Sequence, residues 1–131
     1  MIIMRILHII ASVDPAGGGP IEGILRQDEA CRAAGLDVSR EILTLDPPDS
    51  PHLTSTRLKV HALGRRKDNS LLPWRRALEH YRYSPEFSPW LRAHISEYDL
   101  AIVNGLWNYA TLGSASVLSR KATPYLSLIH I

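Results

Sequence analysis

The run Asp14-Pro15-Ala16-Gly17-Gly18-Gly19-Pro20 stands between an apolar segment (Ile6, Leu7, Ile9, Ile10) and a stretch with helical spacing. Three consecutive glycines let the backbone bend sharply and approach a ligand with no Cβ in between. Pro20 suits the first turn of a helix, where its missing N–H costs nothing. A strand, a small-residue bend and a helix N-terminus bring free N–H groups and the positive end of a helix dipole to one spot, which is an anion cradle. The same residues also serve as a tight β–α connection without a ligand. Glu22 favours the helix start yet repels a phosphate at that end, so a bound anion requires Glu22 to point away.

Downstream, apolar runs alternate with helix-period runs, the pattern of βαβ units and a parallel sheet. Met4 to Ile10 reads as the first strand. A helix from Pro20 to Ala34 carries Ile21, Ile24, Leu25, Cys31 and Ala34 largely on one face, interrupted by Asp28, and stops at Gly35. Val38 to Leu45 is the second strand, ended by the prolines of Asp46-Pro47-Pro48-Asp49-Ser50-Pro51. Leu58 to Leu63 is a short third strand, closed by Gly64. Ser84-Pro85-Glu86 offers a cap oxygen, a fixed φ and a first-turn acid, opening a helix with Phe87, Trp90, Leu91 and Ile95 at spacings of three and four. Leu100-Ala101-Ile102-Val103 is the fourth strand, apolar throughout as for a strand covered on both faces. Ala110 to Lys121 is a helix and Pro124 to Ile131 a fifth strand. A sheet of this kind needs a further helix after that strand, so the reading is a domain truncated before its last helices.

Composition narrows the function classes. A chain of 131 residues, 45% hydrophobic, can bury one core. A net charge of +2 is too mild to imply nucleic acid. One cysteine, Cys31, rules out an internal disulfide and reads as a small buried thiol. No apolar run is long enough to span a bilayer and no signal-peptide pattern opens the chain, so a cytoplasmic domain is expected. No His, Asp or Glu cluster has metal spacing, and the serine-hydrolase and Walker patterns are absent. The dinucleotide fingerprint fits poorly, because Glu22 stands where that motif wants a small residue.

In open α/β sheets ligands bind beyond the carboxyl ends of the strands. Three segments fall there: the glycine bend, Asn104-Gly105-Leu106-Trp107-Asn108-Tyr109, and His130. Asn104 ends an apolar strand, Gly105 frees the backbone, and Trp107 with Tyr109 offers flat faces suited to a sugar. The competing structural reading packs Trp107 beneath the next helix and uses Asn104 to cap a turn. His8, inside the first strand, reads as a satisfied core or interface histidine rather than a ligand or base. From Arg57 to Arg82 eight Lys/Arg face two acids, with Leu71, Leu72, Trp74 and Tyr81 interleaved. That stretch is either a solvated loop or a basic, aromatic patch touching anionic lipid or a phosphate-linked acceptor.

Taken together, Met4-Arg5-Ile6-Leu7-His8-Ile9-Ile10, Gly17-Gly18-Gly19-Pro20, Tyr83-Ser84-Pro85, Trp90-Leu91-Arg92 and Asn104-Gly105-Leu106-Trp107-Asn108-Tyr109 resemble the N-terminal half of a GT-B glycosyltransferase, family 4, the retaining "glycosyltransferase group 1" type. The resemblance covers nearly the whole chain. It implies an α/β, Rossmann-like three-layer domain over 1–131 with a parallel sheet of about five strands in the order 3-2-1-4-5. It also implies a second, donor-binding domain that is absent here, carrying a Glu-x7-Glu pair that this sequence lacks.

By the same resemblance Gly17, Gly18 and Gly19 approach the donor diphosphate, while Asn104, Gly105, Trp107 and Asn108 contact sugar or acceptor. Relatives often read His-Gly-Leu-Trp-Gln-Tyr at the latter segment; Asn104 stands for the His and Asn108 for the Gln, leaving hydrogen bonding rather than acid–base work. His130 falls where relatives carry a His facing the donor sugar, with Ile131 in place of the following Gly, and is the one catalytic candidate. No metal or cofactor is implied. The implied partners are a nucleotide-sugar and a glycan or lipid-linked acceptor, and the basic, aromatic composition of Arg57 to Arg82 adds peripheral contact with an anionic membrane. The implied setting is cell-envelope or exopolysaccharide synthesis, at the inner membrane face. From another class, a non-catalytic Rossmann-like module binding a nucleotide or effector fits the same pattern.

Overall fold

The computed structural model of the chain describes residues 3–14, 19–54, 56–64, 85–104, 114, 117, 118 and 123–128. Its apolar runs pair as parallel strands. β1 (Met4–Ile10) lies against β2 (Val38–Thr44) in a register running from Met4 opposite Val38 to Ile10 opposite Thr44. On its other side β1 pairs with β4 (Leu100–Asn104), Ile6 opposite Leu100 through Ile9 opposite Val103. β3 (Lys59–Ala62) adds beyond β2 and β5 (Tyr125–Leu128) beyond β4, giving five strands in the order β3-β2-β1-β4-β5. A central parallel strand meets packed layers on both faces, which is why Ile6, Leu7, Ile9 and Ile10 are all buried. A one-residue slip would exchange the two faces, so burial on both sides fixes the register.

Each face has its own apolar layer. α1 (Gly19–Ala33) sets Ile21 and Ile24 against Ile10 and Ile42, with Val13 and Leu58 completing the cluster. Asp28, which breaks the apolar stripe in the sequence, is nonetheless buried on this helix; its carboxylate receives Arg57 and Arg32 at 3.1 Å each. Gly35 stops the helix in the left-handed region (φ 72°), where Leu36 N–H donates to the Cys31 carbonyl at 2.9 Å. Cys31 is only partly buried, contrary to the expectation of a core thiol, and the Arg40 guanidinium donates to its Sγ at 3.4 Å.

The opposite face is covered by α2 (Phe87–His94) and the 3-10 turn Ile95–Glu97. Phe87, Leu91, Ile95 and Tyr98 pack there on Leu7, Ile9, Leu43, Ala101 and Val103, with Trp90 at the margin. α2 opens at Phe87, two residues later than Ser84-Pro85-Glu86 indicates, and Glu86 at its N-cap makes no side-chain capping bond. Ser84 lies outside the described residues. Of the helix expected over 110–121, Ser114, Val117 and Leu118 are helical and buried, the latter two in this layer. The remainder lies outside the described residues, as do residues 129–131 of the expected fifth strand.

From β1 the chain builds outward through β2 and β3 on one side, then returns to place β4 and β5 on the other. The switch between the two directions falls between β1 and β4, where open α/β sheets leave a crevice at the carboxyl ends of the strands.

Candidate functional site at the carboxyl edge of the sheet

Leaving β1, the backbone is held from below by one buried carboxylate. Asp46, just past the end of β2, accepts a hydrogen bond from Ser12 Oγ at 2.6 Å and another from the Val13 amide at 2.8 Å. Ser12 Oγ in turn accepts from the Asp14 amide at 3.0 Å, and Leu45 N–H reaches the Ala11 carbonyl at 3.2 Å. Charge-assisted bonds of this kind are the stronger class. The Asp14 carboxylate then meets His52 Nε2 at 3.4 Å, a contact to the Pro51–Thr54 3-10 turn.

Asp46 is itself positioned by a close backbone approach at the end of β3. Gly64 N–H donates to the Asp46 carbonyl at 2.9 Å, and a Cβ on Gly64 would lie 1.8 Å from the Leu45 carbonyl oxygen. Only glycine fits there. Asp46 was legible in the sequence merely as the residue before two prolines; an acid directly after an apolar strand was the available signal for its tethering role.

α1 begins at Gly19, with Pro20 in its first turn, so its N-terminus lies just past this tethered segment. Gly17 and Gly18 lie outside the described residues. Glu22 is exposed on the first turn and engaged by Arg26 at 2.6 Å, which offsets its charge.

Asn104 ends β4 on the other side of the switch. Strand alternation places it on the Ile102 face, which pairs with His8 and is the face α1 covers. Asn104 is 6% exposed, and its Oδ1 is buried with no hydrogen-bond partner among the described residues. A buried amide oxygen left unbonded costs about 1–3 kcal/mol. Gly105, Trp107, Asn108 and His130 lie outside the described residues. Asn104 and the start of α1 at Gly19 thus belong to the same face of the sheet.

Deeper on the same face, His8 is 1% exposed, and Arg40 NH1 lies 2.8 Å from its Nε2. A guanidinium only donates, so Nε2 accepts and the ring proton sits on Nδ1, which has no partner among the described residues. His8 is thus a core histidine, but not the satisfied one expected. Burial, followed by the charge of Arg40 and against the pull of Asp28, lowers its pKa to about 4.

The opposite face carries a contrasting, fully engaged cluster. Glu41 accepts from His61 Nε2 at 2.7 Å, from Arg5 NH2 at 2.9 Å and from the Tyr98 hydroxyl at 3.2 Å. Burial pushes the Glu41 carboxyl up, but these hydrogen bonds outweigh it and leave it below its ordinary value. Burial and the neighbouring Glu41 raise the Tyr98 phenol well above the usual range. Trp90 fills the gap between His61 and His94, with ring centroids at 4.6 and 4.3 Å. With its hydrogen bonds made, this cluster supports the fold.

Arg57, the first residue of the basic stretch, is committed to Asp28, donating from Nε at 3.2 Å and NH2 at 3.1 Å; residues 65–84 lie outside the described residues. Among the described residues no group of three or more His, Cys, Asp or Glu is placed to hold a metal ion. No described helix is long and apolar enough to cross a membrane.

Strand order and helix placement define an α/β, Rossmann-like domain. No family model matches the chain, and no curated protein matches it. Among solved structures it is similar to the C-terminal domain of a hydrogenase from Pyrococcus furiosus, with a TM-score of 0.53 and 16% identity over 95% of this chain and 91% of that one. At that identity the likeness concerns the fold, which is again α/β.

Proposed function

We propose that this chain is the acceptor-side domain of a retaining glycosyltransferase, moving a sugar from a nucleotide-sugar to a glycan or lipid-linked acceptor at the inner face of the cell envelope. The observation that carries the reading is the buried Oδ1 of Asn104, without a hydrogen-bond partner among the described residues, at the switch point and on the face that α1 covers. An amide oxygen accepts hydrogen bonds and repels phosphate, so it selects a hydroxyl-bearing ligand. The N-terminus of α1 selects the opposite partner, an anion. A sugar beside a diphosphate satisfies both, and the amides around Gly19 would stabilise the charge on a departing diphosphate. Gly17, Gly18, Trp107 and Asn108 would extend the two subsites, and His130 would face the donor sugar. A second domain would supply the remaining donor contacts.

The test is saturation-transfer NMR on this chain with a panel of hexoses, UDP, GDP and NAD, repeated on Asn104→Ala. Hexose signals that vanish in the variant while diphosphate signals persist support the reading. Binding of NAD with no hexose signal makes the chain a nucleotide-binding module instead.

A further inference from the structure

We infer a second ligand site, at the opposite edge of the sheet, that binds a small soluble phosphate ester or pyrophosphate. A groove of about 380 Å³ opens there beneath the C-terminal end of α1 and the first residues of β2 and β3. Its walls carry four cations, Arg32, Arg40, Arg57 and Lys59, against two carboxylates, Asp28 and Asp37. That volume falls within the range of small-molecule pockets.

The positive charges are unevenly matched. Arg32 and Arg57 share the single buried carboxylate of Asp28, all three donor contacts converging on Oδ2. Arg57 has a further, longer approach to Glu29 at 3.8 Å. Among the described residues Arg40 contacts neutral groups: His8 Nε2 at 2.8 Å, Cys31 Sγ at 3.4 Å and Gln27 Oε1 at 3.5 Å. Its Nε is buried and lacks a partner, and it makes no ion pair among the described residues. Lys59, exposed on the edge strand, likewise makes no ion pair among the described residues.

A partly buried guanidinium with no counter-charge among the described residues is costly to keep, and the imidazole of its neighbour His8 carries no negative charge in either protonation state. The missing negative charge is one that a ligand brings. Arginine's planar fork matches phosphate oxygens in pairs, and Lys59 adds a point charge at the mouth. Ile3 and Leu36, both more than half exposed at the rim, give an apolar footing for the body of an ester. This site does not depend on the carboxyl-edge reading: Asn104 is not among the residues that line the groove.

The experiment is calorimetric titration of the chain with pyrophosphate and with glycerol 3-phosphate at low salt, followed by Arg40→Gln, Lys59→Gln and Asn104→Ala. A stoichiometric heat in the parent chain is expected, weakened about tenfold by K59Q and more by R40Q, unchanged by N104A, and reduced by added salt. Lys59 is exposed and makes no ion pair among the described residues, so K59Q keeps the test decisive even where R40Q fails to fold. The absence of heat with either ligand overturns the proposal, as does equal affinity in K59Q. Sedimentation with vesicles containing anionic phospholipid is the last arm. Binding to vesicles without binding to either soluble phosphate overturns it too, by assigning the groove to a membrane surface.

Discussion

Asp46 and Ser12 are joined by a 2.6 Å hydrogen bond that ties the segment leaving β1 to the segment leaving β2. With the second bond, from the Val13 amide, one buried carboxylate fixes the direction in which the chain departs toward the glycine bend. Any ligand function at that edge inherits its geometry from this tether.

Replacing Asp46 by Ala leaves the Val13 amide and the Ser12 hydroxyl without their acceptor in a buried position. The expected cost is about 3 kcal/mol, read as a lower urea midpoint with unchanged slope. Asp46→Asn retains one acceptor oxygen and should lose about half as much. A D46A chain as stable as the parent would show that the tether is dispensable.

Gly64→Ala tests the adjoining backbone contact. The added methyl would meet the Leu45 carbonyl at 1.8 Å, and backbone on both sides must shift to admit it. Destabilisation by about 2 kcal/mol or more is expected, visible as a fall in the thermal midpoint. Gly23→Ala, a position with open space around its would-be Cβ, is the control and should be neutral or slightly stabilising.

Stability should also fall in mild acid. His8 has a folded-state pKa of about 4, below the value of about 6.5 for an exposed imidazole. The unfolded chain therefore binds the proton first, and stability is full above pH 6.5 and declines as pH drops toward 4. The whole effect is about 3 kcal/mol. Glu41, whose carboxyl is held below its ordinary value, adds a loss of the same sign at still lower pH. In His8→Gln, which keeps an acceptor for Arg40 but does not titrate, the decline between pH 6.5 and 4 should disappear. A decline of equal size in H8Q would assign it to other groups.

The two central strands were legible because both of their faces are covered: Leu100 to Val103 and Met4 to Ile10 run with few interruptions. Gly35 and Asn104 were legible too, one as a helix stop and the other as an amide at the end of an apolar strand. What escaped was tertiary. Asp28 looks like a flaw in an amphipathic stripe until Arg57 arrives from the start of β3. Arg40 looks like an ordinary polar residue on a strand until His8 is found 2.8 Å away, its second nitrogen without a partner among the described residues. Asp46 is overshadowed by the prolines that follow it, and its partner Ser12 lies 34 residues upstream. Pairings of this range leave no periodic trace in a sequence.

Asn104 separates a binding role from a structural one most sharply. A residue kept to hold the fold together loses stability when truncated, whereas one that carries an unbonded buried oxygen has a desolvation cost that truncation relieves. Asn104→Ala should therefore leave the thermal midpoint unchanged or slightly raised while hexose binding falls about tenfold. Asn104→Asp makes the opposite trade. It places a carboxylate where burial penalises charge, so that the midpoint falls as pH rises from the ordinary carboxyl pKa of about 4 toward the raised folded-state value and levels off above it. Paired thermal-shift and hexose-binding measurements on the two variants give the answer. Loss of stability in N104A with ligand affinity intact would make Asn104 a structural residue, and the sugar-binding reading of the switch point would fall with it.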